Sequence, residues 1–356
     1  NSALLSRAAV YVLRSLEPAD LKQIMALALS HQAFPAMDDE SANLLADHAD
    51  VLSMLQGGSA RGKPSQLIER ALQLDPNHMK ALALAGISKD TLDPPGGEIV
   101  RDSKGNPTGV LIDNAMTLLE QHIPEPDDAA KVRALQAAFK HLLALGITSV
   151  HDAGVDTDVV KLYQQLAAEH KLPLRIYPML SARDPQLPAW LDAGIIDDPT
   201  DFLDIRSVKI YGDGALGSRG AALIEPYSDK PEQKGLLVTQ PDQLTQIMQL
   251  TIDAGFQTNV HAIGDLANRL VLDRFEQLVP ENKRAQSRHR IEHAQIVAPK
   301  DLPRFAKLHV LPSMQPTHAT SDKNMAGDRL GVARLRGAYA WRSLVDDGNR
   351  IVGGSD

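Results

Sequence analysis

Residues 132–152 read VRALQAAFKHLLALGITSVHD. Val132, Leu135, Phe139 and Leu142 share one face at helical spacing, which predicts an amphipathic helix. Gly146 supplies the left-handed residue that commonly ends such a helix. Ile147-Thr148-Ser149-Val150 follows as a short buried strand that runs into the polar pair His151-Asp152. The alternation of helix and strand repeats downstream. Strands are expected at 147–150, 174–180, 207–211, 257–262, 289–295, 310–315 and 350–354, with helical stretches such as 243–254 and 266–279 between several of them. Helix-separated strands imply a parallel sheet. Seven in a row predict an α/β fold of the incomplete TIM-like (β/α)8 barrel type, one strand short, over an open doubly wound sheet.

Upstream the pattern is helical. Leu44, Leu45, Val51, Leu52 and Leu55 recur at helical spacing, Gly57-Gly58 breaks the run, and Leu67, Ile68, Ala71 and Leu72 resume it. Ala71-Leu72-Gln73-Leu74-Asp75-Pro76 resembles the close of a tetratricopeptide repeat of the kind found in cytochrome c maturation factors. That resemblance implies a helical segment able to take a protein partner. From Gly86 onward Asp93-Pro94-Pro95-Gly96-Gly97 and Gly105-Asn106-Pro107 signal turns and a loop-rich connector. The expected organisation is therefore a helical, tetratricopeptide-like segment at 1–85 and a barrel at 86–356 carrying strands 2–8.

Composition narrows the function classes. The 356 residues are 43% hydrophobic and 23% charged, and no uninterrupted apolar run reaches the roughly 18 residues of a bilayer span, so a soluble globular chain without a membrane span is expected. A net charge of −8 without a basic stripe argues against nucleic acid as a partner. Zero cysteines exclude disulfides, thiolate nucleophiles and cysteine-based zinc sites, so any metal must use His, carboxylate or modified Lys. The chain starts at Asn1 without methionine, which leaves the compartment open with the cytoplasm as the default.

In (β/α)8 barrels the chemistry sits at the C-terminal ends of the strands. Those ends here read Val150-His151-Asp152, Val208-Lys209 with Asp213 beyond, Val260-His261, Glu292-His293, Gln315 with His318 beyond, and Ser355-Asp356. A lone buried histidine ordinarily packs or hydrogen-bonds. Two histidines and a lysine on three strands at one barrel end are hard to obtain from packing, because a buried charge is costly unless paired or metal-bound. Lys209, His261 and His293 are therefore the candidate metal ligands. Gly212-Asp213-Gly214-Ala215-Leu216-Gly217 also fits the dinucleotide pattern G-x-G-x-x-G, but that motif needs a helix opening directly after its strand, and Pro226 interrupts one early.

The ordered phrases identify a resemblance to the amidohydrolase superfamily, in its YtcJ-like amidohydrolase-3 branch, over residues 86–356. They include Gly146-Ile147-Thr148-Ser149-Val150-His151-Asp152-Ala153-Gly154, Lys209-Ile210-Tyr211-Gly212-Asp213-Gly214, His261-Ala262-Ile263-Gly264-Asp265, Arg290-Ile291-Glu292-His293-Ala294-Gln295, Ser313-Met314-Gln315-Pro316-Thr317-His318 and Gly354-Ser355-Asp356. The resemblance implies a carboxylated Lys209 and the imidazoles of His261 and His293 around a divalent metal, zinc by donor type, as one or two ions. It implies Asp356 as the catalytic carboxylate that takes a proton from water and passes it to the leaving amine. His151, Asp152, Arg219 and His318 are the candidate substrate contacts. The expected reaction is hydrolysis of a C–N bond, amide or formamide in type, in a small molecule.

One family feature has no counterpart. Members of the superfamily carry a His-x-His pair on the first barrel strand, and none of the twelve histidines here forms such a pair. The family's small β-sandwich is likewise not read in the sequence. The expected consequence is an enzyme impaired by loss of the first strand. The alternative is a non-catalytic tetratricopeptide-like binding module fused to an amidohydrolase fragment.

Overall fold

Each of the seven expected strand segments contributes to one parallel sheet in the computed structural model, which describes residues 82, 85–123 and 126–355. The helical hairpin read within residues 1–81 and the carboxylate Asp356 lie outside the described residues. The chain divides into two units between residues 124 and 125.

In the first unit, β1 (Gly97–Arg101) and β2 (Pro107–Asp113) pair antiparallel and lead into a single helical turn, α1 (Thr117–Glu120). The loop-rich connector expected here is thus a hairpin. Its turn is closed by one side chain: the Asp102 carboxylate accepts from the Lys104 and Asn106 amides at 2.9 and 2.8 Å and from the Asn106 side chain at 3.1 Å. The flanking Pro and Gly residues conceal strands this short. Ile99 seats the hairpin in a small core with Leu82, Ile87 and Ala115.

The second unit opens with α2 (Asp128–Ala144), whose N-cap Asp127 accepts from the Ala130 amide at 2.7 Å and whose end is turned by Gly146 at φ +78°. Then come β3 (Ser149–Val155), α3 (Thr157–Ala168), β4 (Arg175–Ser181), α4 (Leu187–Ala193) and a two-residue antiparallel pair, β5 (Ile196–Asp197) and β6 (Asp204–Ile205). After them come β7 (Ser207–Tyr211), α5 (Pro241–Asp253), β8 (Gln257–Ala262), α6 (Asp265–Leu278), α7 (Glu281–Ser287), β9 (Arg290–His293), α8 (Leu302–Leu308) and β10 (Leu311–Met314). Short helices α9 (Pro316–Ser321), α10 (Ala326–Leu330) and α11 (Trp341–Asp346) precede β11 (Val352–Gly353). The sheet order is β11-β10-β9-β8-β7-β4-β3 with every pair parallel. Residues 212–240 form no helix after β7, which removes the context a dinucleotide fingerprint requires.

Alternation along each strand sorts the residues into two faces. Val208, Ile210, Val260 and Ile291 are fully buried and pack with Val160, Val271, Leu272 and Phe305 of the surrounding helices in one core. Each such side chain contributes about 1.5–3 kcal/mol of burial free energy. The opposite face carries Ser207, Lys209, Tyr211, Gln257, Asn259 and His261. That face is concave. Arg290 on β9 reaches His151 on β3 at 3.0 Å, although a flat sheet would hold strands four places apart at about 19 Å, at roughly 4.8 Å per strand. The sheet is a curled half-barrel of seven strands, the incomplete TIM-like fold expected. Among the described residues no helix is long and apolar enough to cross a membrane.

Candidate metal centre

Lys209, His261 and His293 come from three consecutive strands of the sheet. Lys209 is 3% exposed and in register with Ser181 on one side and Asn259 on the other, two residues before His261. Its Nζ lies 4.8 Å from the centre of the Tyr211 ring, and the Arg183 guanidinium lies 5.0 Å from the same ring. The Tyr211 ring in turn stands 5.8 Å from that of His261. Gly154 makes this approach possible: at φ +87° it accepts a backbone that side chains rarely adopt, and a Cβ there would stand 2.9 Å from the Tyr211 hydroxyl.

His293 reaches the same place by a departure from the pleat. It pairs in register with Ala262, a core residue on the helix-facing side, so regular alternation would turn it away from the concave face. His293 at φ +78° and Ala294 at φ +42° break that alternation, and the His261 and His293 ring centres come to 4.6 Å, edge to face. Left-handed backbone at two successive non-glycine residues costs about 1–3 kcal/mol each and is retained where surrounding structure imposes it.

Hydrogen bonding orients the His293 imidazole. The Gln315 amide donates to the Ser313 carbonyl at 3.1 Å, which directs its Oε1 to His293 Nδ1 at 2.8 Å. His293 therefore donates from Nδ1, and Nε2 keeps its lone pair. His261 Nε2 lies 3.5 Å from Asp213 Oδ1. Asp213, 1% exposed, accepts from the Ala222, Ile263 and Gly264 amides at 2.8, 2.9 and 2.8 Å, tying the loop after β7 to the loop after β8. Asn268 on α6 donates to the Gly264 and Ile296 carbonyls at 2.9 and 3.1 Å, tying the loop after β8 to that after β9.

The remaining candidates divide. His318 stacks on His293 with ring centres 5.5 Å apart, and both line a small recess with Gln315, Tyr339 and Trp341. His151 lies within β3, opposite Tyr177, four residues before Ser181, the partner of Lys209; it therefore sits about 13 Å lower along the strand. There it accepts from Arg290, and loss of solvent with the Arg290 charge pushes its pKa down to about 4. Asp152 accepts from the Tyr163 hydroxyl at 2.7 Å, and burial, then Asp152, pushes that hydroxyl's pKa up. Arg219 pairs with Asp229 at 2.8 Å. The reading of strand ends missed Asn268 and the roles of Asp213 and Gln315. Asn268 has a visible signal, an amide on the apolar face of an amphipathic helix.

The donor set suits a divalent ion of zinc type. Two nitrogens each about 2.0–2.1 Å from one Zn²⁺ stand roughly 3.4 Å apart at a tetrahedral angle. Ring centres at 4.6 Å leave room for that. Among the described residues no group of three or more His, Cys, Asp and Glu side chains gathers for a metal.

Comparisons with known proteins agree with this architecture. A family model described as the amidohydrolase family matches residues 64–356. A Bacillus subtilis protein named for an amidohydrolase, YtcJ, is 36% identical over 281 residues, covering 78% of this chain and 52% of that protein. Protein LONG AFTER FAR-RED 3 of Arabidopsis thaliana is 34% identical over 289 residues, covering 78% of this chain and 49% of its own length. The crystal structure of an uncharacterized metal-dependent hydrolase from Pyrococcus furiosus superposes with a TM-score of 0.62 at 28% identity, over 78% of this chain and 55% of that one. The chain spans about half the length of the curated relatives it matches. By its family match, its identity to YtcJ and its curled parallel sheet, the chain belongs to the amidohydrolase family, in the YtcJ-like amidohydrolase-3 branch.

Proposed function

We propose that the concave end of the sheet is the metal site of a hydrolase that cleaves the C–N bond of a small amide or formamide. The observation that carries this reading is the edge-to-face pair His261 and His293, 4.6 Å apart, with buried Lys209 on the adjoining strand. His261, His293 and the carbamate of Lys209 are the proposed ligands; a neutral amine binds a cation poorly at neutral pH, whereas a carbamate offers oxygen donors. A bound divalent ion supplies Lewis acidity toward a carbonyl oxygen and toward water. Gln315 orients the His293 imidazole, and Asp213 ties together the loops after β7 and β8. Asp356 takes the proton of the attacking water and returns it to the departing nitrogen. His318, beside His293, contacts the substrate from the recess, and His151, Asp152 and Arg219 are proposed contacts that lie farther from the histidine pair.

A second reading is a tetratricopeptide-like binding module fused to an amidohydrolase fragment, without turnover: among the described residues the sheet has seven strands, whereas a closed (β/α)8 barrel has eight. Metal analysis of the purified chain, run beside an assay on N-substituted formamides and acyl-amino acids, separates the two. Hydrolysis that tracks bound metal supports the enzyme; full metal occupancy with no turnover on any amide supports the module.

A further inference from the structure

Past the end of β4 the chain reads Ala182-Arg183-Asp184 and turns away from the sheet. The Asp184 amide donates to the Ser181 carbonyl at 3.1 Å, and the Arg183 amide donates to the Ser181 hydroxyl at 3.3 Å. Ser181 is in register with Lys209, so Arg183, two residues on, comes to the concave face at the same end of the sheet. Its guanidinium stands over the Tyr211 ring, which the Lys209 Nζ also approaches. The 5.0 Å from guanidinium to that ring and the 5.8 Å from that ring to the imidazole put Arg183 within about 11 Å of the His261 ring.

Most exposed arginines that rest on an aromatic ring do no more than pack. Arg183 is exposed, but the ring beneath it adjoins the proposed metal ligands. The carboxylate next to it in the chain is committed elsewhere: Asp184 accepts from the Thr157 amide at 2.5 Å and from the Gln186 amide at 2.8 Å. Contact with a ring face draws on the charge of the guanidinium, whereas its N–H donors lie along its edge in a planar fork. That fork matches a carboxylate through two parallel bonds. On the other side of the histidine pair the lining is different, since His318, Tyr339 and Trp341 surround the recess beside His293. In sheet order the pair thus has a guanidinium on one flank and rings on the other.

Resting on the metal-site reading above, we infer that Arg183 is a specificity-determining residue and that the substrate is an amide with a carboxylate close to its scissile bond. The carboxylate takes the Arg183 fork while the carbonyl lies at His261 and His293. One residue of extended chain spans about 3.5 Å. A carboxylate one or two such lengths from the scissile carbonyl fills the gap left once hydrogen-bond and metal–ligand distances are taken off its two ends.

The test is isothermal titration calorimetry on the full chain after zinc loading, with zinc per chain measured on the same sample. N-formylphenylalanine carries its carboxylate on the departing amine and succinanilic acid on the acyl part, and each is compared with its neutral primary amide. At least one acid is expected to bind roughly 10- to 100-fold tighter than its amide, the worth of a charge-assisted pair, and which acid does so tells which side of the scissile bond faces Arg183. In Arg183→Gln this preference is expected to vanish while zinc content stays the same. In Arg183→Lys, which keeps the charge without the fork, it is expected to fall several-fold. Acids and amides that bind alike in the unmodified chain, or no binding of any of them, overturn the inference. A preference that persists in a folded Arg183→Gln chain also overturns it; should that variant fail to fold, an undiminished preference in Arg183→Lys does so. The metal reading fails separately: a chain that holds no zinc yet prefers the acid through Arg183 refutes the metal site and keeps the Arg183 assignment, and a zinc-holding chain without the preference does the reverse.

Discussion

His293 depends on the residue behind it as much as on its place in the strand. Gln315 accepts its Nδ1 proton, so Gln315→Leu removes the orienting acceptor while keeping similar bulk. Zinc affinity, measured by competition with a chromogenic chelator, is expected to fall roughly 10-fold or more, with little change in the thermal midpoint of the metal-free chain. Asp356 makes a different kind of contribution. If it handles the proton, Asp356→Asn leaves metal binding largely intact and lowers turnover by roughly two to four orders of magnitude, read as kcat on the best amide substrate found. Turnover equal to the unmodified chain would remove Asp356 from the mechanism.

At the scale of elements, β8 and β9 hold a buried histidine that has no part in the proposed site. His289, 5% exposed, stacks on Phe275 with ring centres 5.0 Å apart and accepts from the Thr258 amide at 3.0 Å. Burial pushes its pKa from 6.5 down to about 4. The unfolded chain therefore binds a proton below pH 6.5 that the folded chain refuses until about pH 4, and stability falls as pH drops through that window. The loss is on the order of 3 kcal/mol. Urea denaturation between pH 7 and 4 is expected to show this slope, reduced by about one proton in His289→Gln. His151 has a similarly lowered pKa but an exposed side, so screening leaves it a smaller share. The strands themselves were legible, because apolar runs separated by amphipathic helices leave few alternatives; the expected 207–211 and 257–262 match β7 and β8. The hairpin at residues 97–113 was not, since it rests on one aspartate's turn chemistry instead of on periodicity. The inward turn of His293 was also hidden, because no pattern in Arg290-Ile291-Glu292-His293-Ala294 announces two left-handed residues.

For the molecule as a whole, the half-barrel carries two imidazoles and a buried lysine, and among the described residues it has seven strands, one short of a closed (β/α)8 barrel. Carbamates on lysine gain stability from bridging two metals, so a site with three ligands and one ion is expected to hold its carbamate weakly. Zinc content should then be substoichiometric, hydrolysis slow, and both should rise when bicarbonate is supplied. The most direct test of the central claim is zinc per chain by elemental analysis after loading and desalting, on the unmodified chain and on the double variant His261→Ala, His293→Ala, with and without bicarbonate. The account predicts zinc at up to about one ion per chain in the unmodified protein. It also predicts that bicarbonate raises this content and that the double variant loses it. Equal zinc in both proteins, or none in the unmodified chain under any of these conditions, would contradict it.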